Sequence, residues 1–428
     1  MSARGLKAFC IVSRLCGLVK CRCVFPCLFP SFLVYLCRHE SGRRSDLKVA
    51  IVHDWLNQMG GAEVVLEALA EMYPQAPIYT AMYWPQVMPE EYRAWDIRTS
   101  FMDGLPLVKR YHQPFLPLYP LAFESFDFTG YDLVISNKSG FCHGVITTPN
   151  TLHICYCLTP TRFLWNYHEY VQREGVAAGL ARLALPPFLS YLRLWDRAAA
   201  DRVDHFVAIS RTVQRRIAKY YRRDSVVIHP PVDTTKFAPS DSHDDYFLIV
   251  SRLIPYKRID LAVRAFNELG LPLVIVGDGR DRDSLQALAE SNIEFLGRVP
   301  DEKIGDYFAR CRAFILPGQE DFCIAPVEAQ AAGRPVIAYA AGGALDTVRE
   351  GITGTFFHDQ TPGALIEAIK EFDETSYDPA VIRRHAERFD RRVFKERLSE
   401  FIEQKYVEHK NTDGQDLRIF SQAKSPDP

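Results

Sequence analysis

The segment Gly318-Gln319-Glu320-Asp321-Phe322-Cys323-Ile324-Ala325-Pro326-Val327-Glu328 sets two carboxylates, Glu320 and Glu328, eight residues apart. Pro326 suits the first position of a helix, where its missing N–H has no partner to lose. Glu328 then falls in the first helical turn and Glu320 in the loop before it. Amides around Cys323 and Ile324 would project from that helix start towards an anion. Carboxylates accept from hydroxyls and open amides donate to phosphate oxygens, so the segment suits a sugar joined to a phosphate. An acidic residue near a helix start also offsets the helix dipole, so the neighbouring motifs must decide between the two roles.

Those neighbours are cations and glycines at the ends of apolar runs. Arg252 and Lys257 lie in Ser251-Arg252-Leu253-Ile254-Pro255-Tyr256-Lys257-Arg258, after the run Tyr246 to Ser251. A guanidinium can clamp two phosphate oxygens and an ammonium adds a point charge, so both could stabilise a departing diphosphate. Val276-Gly277-Asp278-Gly279 turns tightly after another run but lacks the three spaced glycines of a dinucleotide fingerprint. Gly297-Arg298-Val299 offers backbone groups to a base, and Ala341-Gly342-Gly343-Ala344 offers further amides. Early in the chain, Gly60-Gly61-Ala62-Glu63 opens a helix where backbone can approach a phosphate with no Cβ in the way.

The elements that hold these motifs alternate between strand and helix. Leu47 to His53 is a buried parallel strand, followed by the helix Val64 to Met72. Tyr131 to Ser136, Leu152 to Cys157, His205 to Ser210 and Ser225 to His229 read as further strands. Pro230-Pro231 and the polar run to Asp245 mark a junction. Strands then follow at Tyr246 to Ser251, Leu273 to Val276, Ile293 to Phe295, Ala313 to Leu316 and Val336 to Tyr339. Helices at Arg258 to Leu269, Arg282 to Ser291 and Glu302 to Cys311 separate them. The expected architecture is α/β, with doubly wound domains at 47–231 and 232–384 and ligands at the strand C-termini in a cleft between them. A long charged helix begins near Ala380, and residues 411–428 read as a disordered polar tail.

Composition fits a soluble globular chain of 428 residues, 47% hydrophobic and 24% charged. A net charge of −2 points away from nucleic acid as a partner. Six of the eleven cysteines precede residue 40 and the rest show no metal-ligand spacing, so no metal site is expected. Residues 1–46 differ in character from the rest and read as a poorly ordered extension, with a membrane-surface anchor as the alternative. Leu105 to Phe126 and Leu180 to Leu194 mix apolar residues with Lys109, Arg110, Arg182 and Arg193. Such segments either touch a lipid surface or pack into the core with their charges reaching out to water.

Taken in order, Gly60-Gly61, Arg252, Lys257 and the Glu320 to Glu328 element resemble a glycosyltransferase of family 4, over residues 47 to 405. The resemblance implies the GT-B fold, two Rossmann-like domains facing a central cleft, with the C-terminal helix 385–407 crossing back to complete the first. It implies retaining transfer of a sugar from a nucleotide-diphosphate donor, a substrate, with no cofactor and no essential metal. By motif, Arg252 and Lys257 would bind the donor diphosphate, Glu320 the sugar hydroxyls and Glu328 the ribose. Glu320, Arg252 and Lys257 are the catalytic candidates. Gly60, Gly61, Gly277, Val299, Phe322, Cys323 and Ile324 complete the expected donor site. Cys323 stands where relatives carry glycine, and Leu158 where many carry a histidine. His153 reads as a core histidine, which leaves His53, Asp54 and Arg162 as acceptor-side candidates.

The activity expected from this resemblance is sugar transfer from a nucleotide-diphosphate donor, GDP-mannose being one candidate, to a glycan or lipid-linked acceptor of surface polysaccharide or glycolipid synthesis. The expected location is the cytoplasm, with a peripheral contact at the inner face of the cell membrane. A sugar-nucleotide epimerase and a non-catalytic nucleotide-sugar sensor are the alternatives that share this architecture.

Overall fold

The apolar run Val49–His53 forms β1, buried along its whole length, as expected of a strand covered on both faces. The computed structural model describes residues 47–166, 181–240 and 242–422. The readings on residues 1–46, and those parts of Leu180 to Leu194 and of the tail that fall elsewhere, lie outside these. In the amino-terminal lobe β1 is joined by β2 (Ile78–Thr80), β3 (Ile97–Thr99), β4 (Leu133–Lys138), β5 (Leu152–Cys157), β6 (His205–Ala208) and β7 (Ser225–Val227). Every pairing is parallel and the order is β3-β2-β1-β4-β5-β6-β7.

The carboxyl-terminal lobe repeats this plan. Its strands are β8 (Phe247–Val250), β9 (Leu273–Val276), β10 (Ile293–Gly297), β11 (Phe314–Leu316), β12 (Val336–Tyr339) and β13 (Gly354–Phe357), in the parallel order β10-β9-β8-β11-β12-β13. Each sheet reverses direction once, between β1 and β4 and between β8 and β11. Ligands of open parallel sheets bind outside the strand C-termini at such a switch point. Arg252 and Lys257 follow β8 and Glu320 follows β11, so the expected donor residues flank the second switch point. Both lobes belong to one unit that begins at Lys48.

Helix patterning follows burial. In the helix Ile259–Leu269, Ile259, Ala262, Val263 and Phe266 recur at three- and four-residue steps and are all buried. They pack with Phe247, Ile249, Ile315 and Leu365 in the lobe core. Each large apolar side chain buried this way contributes about 1.5–3 kcal/mol. Gly270, at φ 65°, ends the helix in the left-handed conformation that glycine tolerates best.

The end of the chain departs from expectation. A single helix was expected from near Ala380, with 385–407 crossing over. Instead Pro379–Ala386 and a 3-10 turn, Glu387–Phe389, come before the final helix Arg391–Gln422. Asp390 makes the break: it is not helical, its carboxylate accepts from the Arg392 amide, and Thr234 holds it at 2.6 Å. The final helix lies on the amino-terminal lobe through Arg391 with Glu71 (2.6 Å), Phe394 with Tyr156, and Phe401 with His205. It runs helical to Gln422 where disorder was expected after Lys410, because extending an existing helix needs one hydrogen bond per residue and no new nucleus. Among the described residues no helix is long and apolar enough to cross a membrane.

Candidate functional site

Around the second switch point the loops are pressed together. A Cβ on Gly318 would meet the Lys257 carbonyl at 2.5 Å, and one on Gly277 would meet the Ser251 carbonyl at 1.9 Å. Only glycine lets the loops after β8, β9 and β11 lie this close. Gly343 donates its amide to the Glu320 carbonyl at 2.8 Å, tying in the loop after β12. The Lys257 ammonium forms an ion pair with the Glu320 carboxylate, and both side chains are largely buried. Burial alone would lower the Lys257 pKa, but Glu320 beside it raises it above the ordinary lysine value. Arg252, by contrast, is exposed and makes no ion pair with a described residue.

The turn after Glu320 enters the helix Ala325–Ala331, with Pro326 in its first turn. Neither the Cys323 nor the Ile324 amide is taken by another backbone group. Glu328 is half-buried, its carboxylate has no hydrogen bond or ion pair with a described residue, and its pKa is pushed up to about 7 by burial and then by Asp301. Gly61 opens the helix Gly61–Met72 directly opposite, where a Cβ would stand 3.5 Å from Ile324 Cδ1. Gly60 is the residue before that helix, and a Cβ there would meet Glu63 at 3.4 Å. Beyond β10, Val299 is half-buried with no backbone partner among the described residues, as a base-binding position requires. Open amides, an open carboxylate and an open cation therefore stand on the segments that follow β8 and β11.

Cys323 has φ 66°, a left-handed conformation that side chains rarely adopt and glycine does freely. Its thiol is pushed up to about 12 by burial and by Glu320, so it stays protonated and is no nucleophile. Phe322, expected at the donor site, packs among aromatic rings instead. Its ring is buried, 5.4 Å from His229 and 5.8 Å from Phe389, so its role is packing at the junction of the lobes.

The acceptor-side candidates have partners of their own. His53 is buried; its Nε2 lies 3.2 Å from Glu63 and its Nδ1 3.1 Å from the Asn137 amide. Asp54 is buried too, and accepts from the amides of Ser139, Gly140, Phe141 and Cys142 at 2.6–2.8 Å. Neither has free capacity for an acceptor hydroxyl, because adjacent loops already use it. His153 is buried in β5 against the Ser136 hydroxyl at 2.9 Å, its pKa lowered by burial to about 3. Leu158, beyond β5, is half-buried.

Arg162 crosses the cleft instead. It donates to Asp321 at 2.6 Å and lies over the Tyr256 ring at 4.8 Å. Arg216, also of the amino-terminal lobe, binds the other Asp321 oxygen. Burial opposes ionisation of Asp321, but the two guanidiniums hold its carboxyl below the usual carboxylate range. A buried hub sets both arginines: Asp196 accepts from Trp165 Nε1 (2.7 Å) and the Tyr221 hydroxyl (2.8 Å), with the Thr161 hydroxyl also at 2.8 Å. Asp321 and Arg216 escape sequence reasoning. The first is hidden by the glutamate beside it, and the second lies 105 residues from its partner with no motif around it.

Comparison with known proteins agrees with this geometry. Residues 59–236 match the family described as Glycosyltransferase Family 4, and residues 233–389 match Glycosyl transferases group 1. A GDP-mannose-dependent alpha-mannosyltransferase of Mycolicibacterium smegmatis is 34% identical over 195 residues, 41% of this chain and 52% of that protein. The chain spans about half the length of the curated relatives it matches. In fold it resembles Anabaena Alr3699/HepE, solved with UDP, with a TM-score of 0.63, 18% identity and coverage of 84% of this chain and all of that one. Sucrose-phosphate synthase of Thermosynechococcus elongatus gives a TM-score of 0.65 at 18% identity, over 84% of this chain and 99% of that one. Matched along both lobes, the chain belongs to the group 1 glycosyltransferases, with the GT-B fold.

Proposed function

We propose that the chain transfers a sugar from a nucleotide-diphosphate donor to an acceptor hydroxyl, with retention at the anomeric carbon. The observation that carries this reading is the set of unsaturated groups at the second switch point. Arg252 and Lys257 stand on the segment after β8; Glu320, the open amides of Cys323 and Ile324 and the Glu328 carboxylate stand on the segment after β11; and Gly61 approaches Ile324 from the other lobe. In the reaction the acceptor oxygen bonds to the anomeric carbon while the bond to the diphosphate breaks, and the diphosphate leaves with the electron pair. Arg252, Lys257 and the open amides balance the charge that develops on it. Glu320 holds sugar hydroxyls, Glu328 holds the ribose and Val299 meets the base. Attack from the face of the departing group puts the acceptor proton beside a basic phosphate oxygen, which suits a cleft where His53 and Asp54 are already bonded.

The name of the Mycolicibacterium relative favours GDP-mannose as donor, and the UDP bound to the Anabaena protein makes uridine nucleotides the comparison. A glycan or lipid-linked acceptor in surface polysaccharide or glycolipid synthesis completes the reading, carried out in the cytoplasm. Exposed Leu107, Tyr111, Leu121, Tyr191 and Leu194, near Lys109 and Arg110, favour a peripheral contact with the inner face of the membrane. The charge on the leaving group is met by protein cations, so EDTA is expected to leave the rate unchanged. The test is incubation of purified protein with GDP-mannose and a membrane lipid extract, with the product's anomeric configuration read by NMR. An α-mannoside is expected. A β-mannoside, or an epimerised sugar nucleotide with no transfer, refutes the proposal.

A further inference from the structure

Behind Phe322, where the two lobes meet the crossover elements, lies a cavity of about 490 Å³. Four guanidiniums line it. Arg211 comes from the helix after β6, Arg384 from the helix Pro379–Ala386, Arg388 from the 3-10 turn that follows and Arg397 from the final helix. Two carboxylates, Asp346 and Glu387, share the lining, and both have partners. Asp346 accepts from the Arg211 amide at 3.1 Å and pairs with its guanidinium at 3.5 Å, and Glu387 lies 3.7 Å from Arg383. Arg397 donates to the Val227 carbonyl at 3.1 Å. The Arg384 and Arg388 guanidiniums have neither hydrogen bond nor ion pair with a described residue, although they stand four residues apart, where like charges repel.

The two guanidiniums left uncompensated, those of Arg384 and Arg388, match the planar, paired oxygens of a phosphate group. We propose that this cavity is a second anion site, separate from the Lys257–Glu320 cleft, that takes a phosphate ester. The ester is either a free phosphorylated small molecule or the headgroup of a phosphorylated lipid. Its ligand would touch Arg211 of the amino-terminal lobe, Leu345 of the carboxyl-terminal lobe and the crossover arginines together. The site also abuts the donor turn. His229 and Phe389 line the cavity and hold Phe322, two residues after Glu320. Occupancy therefore braces the junction of the lobes and the turn that carries Glu320.

The test uses the full chain, with glycerol 3-phosphate titrated in a calorimeter and, separately, co-sedimentation with phosphatidylcholine vesicles with and without phosphatidic acid. Binding of glycerol 3-phosphate supports a free ester; binding only of vesicles that contain phosphatidic acid supports a headgroup. In either case the double substitution Arg384→Gln/Arg388→Gln weakens binding by about tenfold or more, while Arg252→Gln, which removes an exposed and unpaired cation of the other site, leaves it unchanged. The single substitution Arg388→Glu repeats the test if the double variant fails to fold, which its melting curve without ligand reveals. Binding of neither probe, wild-type binding by the Arg384 and Arg388 variants, or loss of binding in Arg252→Gln overturns the proposal.

Discussion

The two switch points of this molecule carry similar residue types and use them in opposite ways. At the first, between β1 and β4, His53, Glu63 and Asn137 bind one another, and Asp54 is filled by four backbone amides. At the second, between β8 and β11, Arg252, the Glu328 carboxylate and two amides have no such partners among the described residues, beside a paired Lys257 and Glu320. Histidine and carboxylate at a strand end are therefore no guide to chemistry by themselves. Hydrogen-bonding capacity left over after folding separates a ligand site from a splint.

Breaking the paired element of the second site should give the largest effect. Lys257→Ala removes the main cation near the leaving group, with an expected loss on the order of 10²–10³ in kcat. It also strands the buried Glu320 carboxylate, and removing one partner of such a pair costs about 3–5 kcal/mol. Adding Glu320→Gln should restore much of that stability, measured by urea unfolding, and none of the activity. Asp54→Ala probes the first site. It leaves several buried amides without an acceptor, with an expected cost of about 3 kcal/mol or more. The fraction that remains folded should keep the wild-type KM for donor, since Asp54 touches no substrate.

Glu328→Gln sharpens the contrast further. Because burial raises the folded-state pKa of Glu328 to about 7, the stability this carboxyl contributes is full below its ordinary value of 4.5 and fades as pH rises through 7. Donor affinity runs the other way. Ribose hydroxyls donate best to the ionised form, so binding should tighten between about pH 6 and pH 8. Glu328→Gln should weaken donor binding by about tenfold and flatten that pH dependence, both measurable by calorimetry. The smallest effect is expected from Cys323→Gly. Relief of the left-handed strain, reduced by glycine's extra freedom in the unfolded chain, leaves a gain of less than about 1 kcal/mol in thermal unfolding.

Much of this was legible in the sequence. The long strands announce themselves as apolar runs, and the helix entry at Pro326 and the helix start at Gly61 fall where the sequence placed them, because helix entry and glycine spacing are local signals. β2, β3 and β13 were not found, since three or four residues give periodicity too little length. Phe322 illustrates a second limit. It sits inside the donor motif, yet its side chain packs among the aromatic rings of the junction. His53 and Asp54 illustrate a third, because their partners Asn137 and Ser139 to Cys142 lie more than eighty residues away and only folding brings them together. The pairing of Arg162 and Arg216 with Asp321 was illegible for the same reason.

The central claim is that the second switch point holds a nucleotide-diphosphate sugar. The direct measurement is calorimetric titration of the wild-type chain, Lys257→Ala and Glu328→Gln with GDP-mannose, and with UDP-glucose for comparison. The account predicts saturable binding of one of the two to the wild-type chain, lost in Lys257→Ala and weakened in Glu328→Gln. Binding of neither nucleotide sugar, or equal affinity in all three proteins, would contradict it.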